Sequence, residues 1–229
     1  MITVTAMKWA PAFAAGNVRD HRVRWILQEV GWPYRVRLLD APTMASPAYR
    51  LLQPFAQVPC LLEDDRPPMF ESGAIVIDVA TRAGRLLPPE GAERSLVVGW
   101  VIAALNSVEP SLMNVAEVEY FLQDEAAKAQ RRPLVVAAAR QRLEQTQQAL
   151  TGRSYLVGET FTVADLMLAS VLKIARGLQL LDDFPALAAY QHRCLDRPAY
   201  RRAVQEQRAE ICQHSMADMR YDQKEKHDA

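Results

Sequence analysis

Apolar positions fall at two different spacings along the chain, and the change between them comes near residue 85. Residues 2–5 alternate in the way of a short strand whose two faces differ. Residues 8–18 carry Pro11, Gly16 and Asn17 and break any period, so a loop is predicted. From Asp20 to Val30, Val23, Ile26, Leu27 and Val30 fall on one helical face, and Gly31 follows where a helix stops. Residues 34–39 alternate again, and residues 47–53 suit a short helix ended by Pro54. Residues 58–62 and 68–70 read as strands joined by the acidic turn Glu63-Asp64-Asp65, and residues 72–83 as a helix with Gly84 beyond it.

After Leu86-Leu87-Pro88-Pro89-Glu90-Gly91 the strand signals fade and helical periods take over. Residues 94–108 carry an apolar stripe that meets Pro110, where a kink or break is expected. Helices are predicted at 112–124, 133–150, 163–175, 185–195 and 198–213. Thr162 followed by Asp165 is a capping box, and the helix behind it is apolar nearly all round, which demands central burial. The polar stretch 215–229 has little apolar period and reads as a frayed or disordered tail. The first 85 residues therefore follow β-α-β-α-β-β-α, the order of a thioredoxin-like domain. The prediction is an α/β thioredoxin-like N-terminal domain (1–85), a linker (86–92) and an all-α C-terminal helical domain (93–229).

A chain of 229 residues, half of them hydrophobic, buries a substantial core without staples. Lys+Arg and Asp+Glu balance at 27 each, so charge points neither to nucleic acid nor to an anionic membrane as a partner. No unbroken apolar run reaches the length of a membrane span, and no export signal is visible at the N-terminus. Cys60, Cys194 and Cys212 are odd in number, far apart and lack metal spacing. A reducing cytoplasm and no metal are expected.

Two short stretches carry chemistry. Proline lowers the preference for a trans bond, so Val58-Pro59 at a strand start is a place where a fold can select cis. The backbone groups of Val58 would then need a partner, such as an extended peptide; the alternative is a plain edge strand. If Ser72 opens a helix, its free N–H and hydroxyl suit a carboxylate, and Glu71 suits an ammonium group; the alternative is a simple helix cap.

These residues, with Arg22–Gly31, Gln57-Val58-Pro59, Phe70-Glu71-Ser72-Gly73-Ala74-Ile75, Phe161-Thr162-Val163-Ala164-Asp165, Pro185-Ala186-Leu187 and Arg197-Pro198-Ala199-Tyr200, resemble the cytosolic glutathione transferases over nearly the whole chain. The resemblance implies glutathione as cosubstrate in the N-terminal domain, an electrophile held with help from the helical domain, detoxifying conjugation and a homodimer. By position it implies that Val58 pairs with the cysteinyl backbone, that Glu71 and Ser72 hold the γ-glutamyl end, and that Gln57 reaches toward the glycyl end. Trp9 and Phe13 in the first loop, with Asn106 and Met113 in the helical domain, would border the electrophile.

The chain departs from the family at the thiol. Family members lower the thiol pKa with a Tyr, Ser or Cys near the end of the first strand, and residues 1–33 contain none of the three. Asn17, through its amide, and Arg19, through its charge, are the candidate partners of the thiolate, beside backbone N–H groups of the loop. Their alternatives are a helix cap for Asn17 and a solvated surface charge for Arg19. Cys60 is expected in the core rather than in the site. A glutathione-dependent disulfide or peroxide oxidoreductase and a noncatalytic binding module are the rival functions.

Overall fold

The computed structural model describes residues 1–220, and these pack as two compact units. The first comprises Met1–Val79 with the chain from Pro198 onward; the second is Ala80–Arg197.

In the first unit, β1 (Ile2–Met7), β2 (Tyr34–Leu39), β3 (Cys60–Glu63) and β4 (Arg66–Phe70) form one sheet in the order β2-β1-β3-β4. β1 runs parallel to β2 and antiparallel to β3, and β3 pairs antiparallel with β4. Val4, Thr5 and Ala6 are buried in succession, as befits a central strand covered on both faces. Both edges resist further pairing: β2 exposes Arg35 and Arg37, and β4 carries Pro67 and Pro68, which have no N–H to offer. β3 is shorter than its apolar pattern suggests: the ladder begins only at Cys60, after a cis Val58–Pro59 bond. The helix expected over 47–53 is present but shorter, as α3 (Pro47–Arg50), and a further helix not expected from the sequence, α2 (Ala41–Ala45), precedes it; each is opened by a side-chain cap, Asp40 for α2 and Ser46 for α3.

α1 (Asp20–Val30) is buried from Asp20 through Leu27. Such a helix cannot have one wet face, and its covering is α10 (Pro198–Ile211), whose Tyr200, Val204, Gln207 and Ile211 are buried in the same unit. Trp25 and Tyr200 meet edge to face at 4.8 Å. Burial of charge here is met by pairing. Arg24 donates to Asp20 at 2.7 Å and to Glu210 at 2.6 Å, and Gln207 donates to Asp20. Burial pushes the Asp20 carboxyl up, and Arg24 draws it back down. The predicted tail is ordered as far as it is described. Ser215 and Asp218 form a second capping box over a 3-10 turn, Met216–Met219, and Met219 is fully buried. Residues 221–229, also assigned to the tail, lie outside the described residues.

α4 (Ser72–Ala83) spans the cut between the units. In the second unit the expected break at Pro110 is a local widening of the helix. α5 (Gly91–Ala103) passes through a π turn, Ala104–Val108, into α6 (Glu109–Tyr120), with Pro110 directly after the π turn. This continuous helix is long and apolar enough to cross a membrane by length and composition. Val97, Val101, Ala104, Val108 and Leu112 are buried, and the helix packs against α8, as in the core helix of a globular unit. α7 (Glu125–Ala149) starts eight residues before its predicted onset, on the cap Asp124, and holds Pro133 inside it. Pro133 and Ala129 are exposed, so the carbonyl that the proline leaves without its helical partner lies on a solvent-facing stretch of α7. α8 (Val163–Gly177) runs through the centre, against α5, α6 and α9 (Pro185–Leu195).

Candidate functional site

The strand register assembles the corner at one end of the sheet. Val4 pairs with Leu61, and Cys60 with Phe70, so Thr5, Cys60 and Phe70 follow one another across β1, β3 and β4. One residue beyond that row lie Pro59, just before β3, and Glu71, just after β4. Val58-Pro59 and Glu71-Ser72, separate in sequence, thereby flank the same paired end of the sheet.

The turn carrying Pro59 is held by buried hydrogen bonds. The Cys60 N–H donates to Thr5 Oγ1 at 2.7 Å, Thr5 Oγ1 and Tyr49 Oη lie 2.9 Å apart, and Tyr49 donates to the Gln57 carbonyl at 2.7 Å. Tyr49 has one hydroxyl proton and spends it on Gln57, so Thr5 must donate to Tyr49. The relay grips the turn on both sides of Val58-Pro59. Gln53, also buried, accepts from the N–H groups of Phe55 and Gln57 at 2.7 and 3.1 Å and folds the approach to the turn. None of Thr5, Tyr49 and Gln53 stands out in the sequence. Thr5 looks like one more β-branched strand residue, and its signal is only that a hydroxyl in a central strand must find a partner.

Glu71 is exposed and takes φ 67°, a left-handed conformation that a residue with a Cβ adopts at a cost of roughly 1–2 kcal/mol. There the chain swings out of β4 into α4, and the Glu71 carbonyl accepts the first helical bond from Ile75 at 3.0 Å. Ser72, the first residue of α4, is buried, and Arg22 of α1 donates to its Oγ at 3.3 Å. A buried guanidinium beside a helix N-terminus makes this corner electropositive, the setting that favours a carboxylate. Arg22 was seen in the sequence only as part of a helix and not as a site residue.

The first loop leaves β1 at this same end of the sheet. It is wound into turns, with Ala14 and Ala15 donating to the Pro11 carbonyl and Asn17 and Val18 to that of Ala14. The Asn17 amide donates to the Phe13 carbonyl at 2.9 Å. Asn17 is therefore not the cap of α1: Arg19 stands at that position with helical dihedrals and makes no side-chain cap. Asn17 and Arg19 are both exposed, as is Phe13, while Trp9 is half-buried. Asn106 is exposed on the π turn and Met113 half-exposed on α6, both in the second unit. Cys60 is fully buried, and burial pushes its thiol up to about 11.

The glutathione S-transferase N-terminal domain matches residues 21–82, and the C-terminal domain of the same family matches residues 108–198. A glutathione S-transferase GstA of Escherichia coli O157:H7 is 28% identical over 160 residues, 68% of this chain and 76% of its own length. A glutathione S-transferase GST-4.5 of Xanthomonas campestris is 28% identical over 183 residues, 74% of this chain and 86% of its own. Among solved structures, a glutathione transferase family member from Pseudomonas fluorescens with two glutathione molecules bound superposes with a TM-score of 0.77 at 24% identity, over 89% of this chain and 92% of that one. The glutathione transferase URE2P8 of Phanerochaete chrysosporium, with oxidised glutathione, gives 0.79 at 20% identity over 93% and 97%. Matched in both halves, with a thioredoxin-like sheet in one unit and helices in the other, the chain belongs to the glutathione S-transferase superfamily.

Proposed function

We propose that the protein binds glutathione at the corner between Val58-Pro59 and Glu71-Ser72 and activates its thiol for attack on a small hydrophobic electrophile. The observation that carries the reading is the Cys60–Phe70 pairing, which sets those two dipeptides side by side. Val58 offers its backbone to the cysteinyl residue. The Ser72 N–H and hydroxyl, backed by Arg22, receive the γ-glutamyl carboxylate, and Glu71 receives the ammonium group. Gln57 extends toward the glycyl end.

The thiol then lies toward the loop after β1. A free thiol has a pKa of about 8.5, so an activating site must favour the thiolate. Asn17, Arg19 and loop N–H groups are the donors proposed for it. The sulfur attacks an electrophilic carbon, a C–S bond forms as the leaving group departs, and the thiol proton has already passed to solvent. Trp9 and Phe13 of the first unit are the proposed lining of the electrophile site. The enzyme is further proposed to act as a homodimer in the cytoplasm.

A second reading, glutathione-dependent reduction of disulfides or peroxides, draws support from the oxidised or paired glutathione in several structural relatives. The burial of Cys60 argues that such exchange would not run through this thiol.

Calorimetric titration with glutathione tests the site. Ser72→Ala, which removes a hydrogen bond to a charged group, is expected to weaken binding about tenfold or more. Glutathione affinity unchanged in both Ser72→Ala and Glu71→Gln would overturn the assignment. Turnover of an aryl halide set against that of a mixed disulfide separates the two readings.

A further inference from the structure

α10 comes from the far end of the chain, yet it touches the loop that the thiol would face. Gln207 is 1% exposed, and its Nε2 donates to the Val18 carbonyl at 2.9 Å and also to Asp20 Oδ1. Val18 is the penultimate residue before α1 begins and Asp20 is the first residue of that helix, so one amide holds the end of the loop and the start of α1 together. The His21 N–H and ring Nδ1 reach the same Val18 oxygen from within α1; Gln207 reaches it from another element. The loop approaches α10 closely at a second point. Gly16 has φ +84°, and a Cβ there would stand 2.7 Å from Arg208 Nε and 3.2 Å from Val204 Cγ1. Glycine at 16 meets both demands, the left-handed backbone and the lack of room. Asn17 lies between the two anchored residues, Gly16 and Val18, and Arg19 lies between Val18 and Asp20, the pair that Gln207 bridges.

We propose that α10 is the clamp of the thiol-activating loop, with Gln207 as its positioning residue: by fixing Val18 against Asp20 it sets where residues 16–19 present their donors. This rests on the functional reading above. A donor displaced by an ångström from a sulfur gives up much of its preference for the charged form, so a loosened loop shows itself in the thiol pKa before it shows in binding of the peptide backbone.

The test uses Gln207→Met, which keeps length and removes the donor, with Tyr190→Phe as a control that loses a buried hydrogen bond to Asp165 in the other unit. Three quantities are read: the thiol pKa of bound glutathione by ultraviolet difference absorbance, the affinity for S-methylglutathione, which has no thiol to ionise, and amide hydrogen exchange of residues 13–19. In Gln207→Met the thiol pKa is expected to rise, kcat/KM below that pKa to fall about tenfold, as for one buried hydrogen bond lost, and exchange in 13–19 to quicken. Affinity for S-methylglutathione is expected to hold. Tyr190→Phe should lower stability and move none of the three.

A wild-type thiol pKa and wild-type exchange in Gln207→Met would overturn the clamp, as would the same shift in Tyr190→Phe. If Gln207→Met does not fold, Gly16→Ala is read in the same way, since its methyl group pushes the loop off α10. Loss of folding in both also overturns the proposal, because a clamp on one loop should leave the sheet intact. Wild-type protein that binds no glutathione would sink the functional reading instead, and the exchange of 13–19 would still decide the clamp.

Discussion

Three cysteines sit in three different environments, and their chemistry follows from burial. Cys60 and Cys194 are fully buried, which pushes their thiols up to about 11 and about 12, while Cys212 is exposed. At neutral pH fewer than about one in a thousand of the buried groups is a thiolate. Native protein is therefore expected to titrate one fast thiol with an aromatic disulfide reagent, and Cys212→Ser none; a fast Cys60 would reopen the case for protein-thiol exchange. The same burial makes stability depend on pH. Cys60 holds its proton more tightly folded than unfolded, so its contribution is complete below the ordinary thiol pKa of about 9 and is lost as pH rises through about 11. Unfolding free energy measured across that window should fall by up to about 3 kcal/mol more in the wild type than in Cys60→Ala. An equal decline in both proteins would show that the thiol does not feel its burial.

At the scale of elements, the strongest device is the capping box of α8. Asp165 accepts from the N–H groups of Leu156 and Thr162, from the Thr162 hydroxyl and from Tyr190, all buried. Thr162→Ala removes one of these bonds and is expected to cost about 1 kcal/mol. Asp165→Ala strands several buried donors at once and is expected to cost about 3 kcal/mol or more. Urea midpoints measure both, and equal costs would mean that the shared acceptor is not the centre of the network. This box was legible in the sequence because its residues are three apart. α1, β2 and α4 were legible too, since their periods are local. What the local pattern misjudged has a physical cause in each case. Pro110 reads as a break and Pro133 as a helix start, but a π turn ahead of the first and an exposed helix face around the second let the helices run through them. The site's supports, Thr5, Tyr49, Gln53 and Arg22, meet across 44 to 55 residues of chain or fold back over a few, and a hydroxyl or a guanidinium carries no mark of the partner it will find.

At the scale of the whole molecule, α10 packs with the first unit although it is the last described α-helix, because its buried face matches a helix that is itself buried from Asp20 through Leu27. Chain order alone could not reveal this pairing; the apolar stripe of α10 was visible, but not the surface it covers. Exposed Leu51 and Phe55, with Phe70 against Phe55 at 6.2 Å, leave an apolar patch on that unit of the kind that subunits cover. Sedimentation should find a dimer for the wild type and a monomer for Phe55→Glu; a wild type that stays monomeric at micromolar concentration would contradict the proposed assembly. The central claim is that the Val58-Pro59 and Glu71-Ser72 corner holds glutathione with its sulfur at the loop after β1. Ultraviolet difference titration of bound glutathione tests it most directly. A thiol pKa well below about 8.5 that rises in Asn17→Ala or Arg19→Ala is the expected result, and a bound thiol that ionises at 8.5 or above would contradict the account.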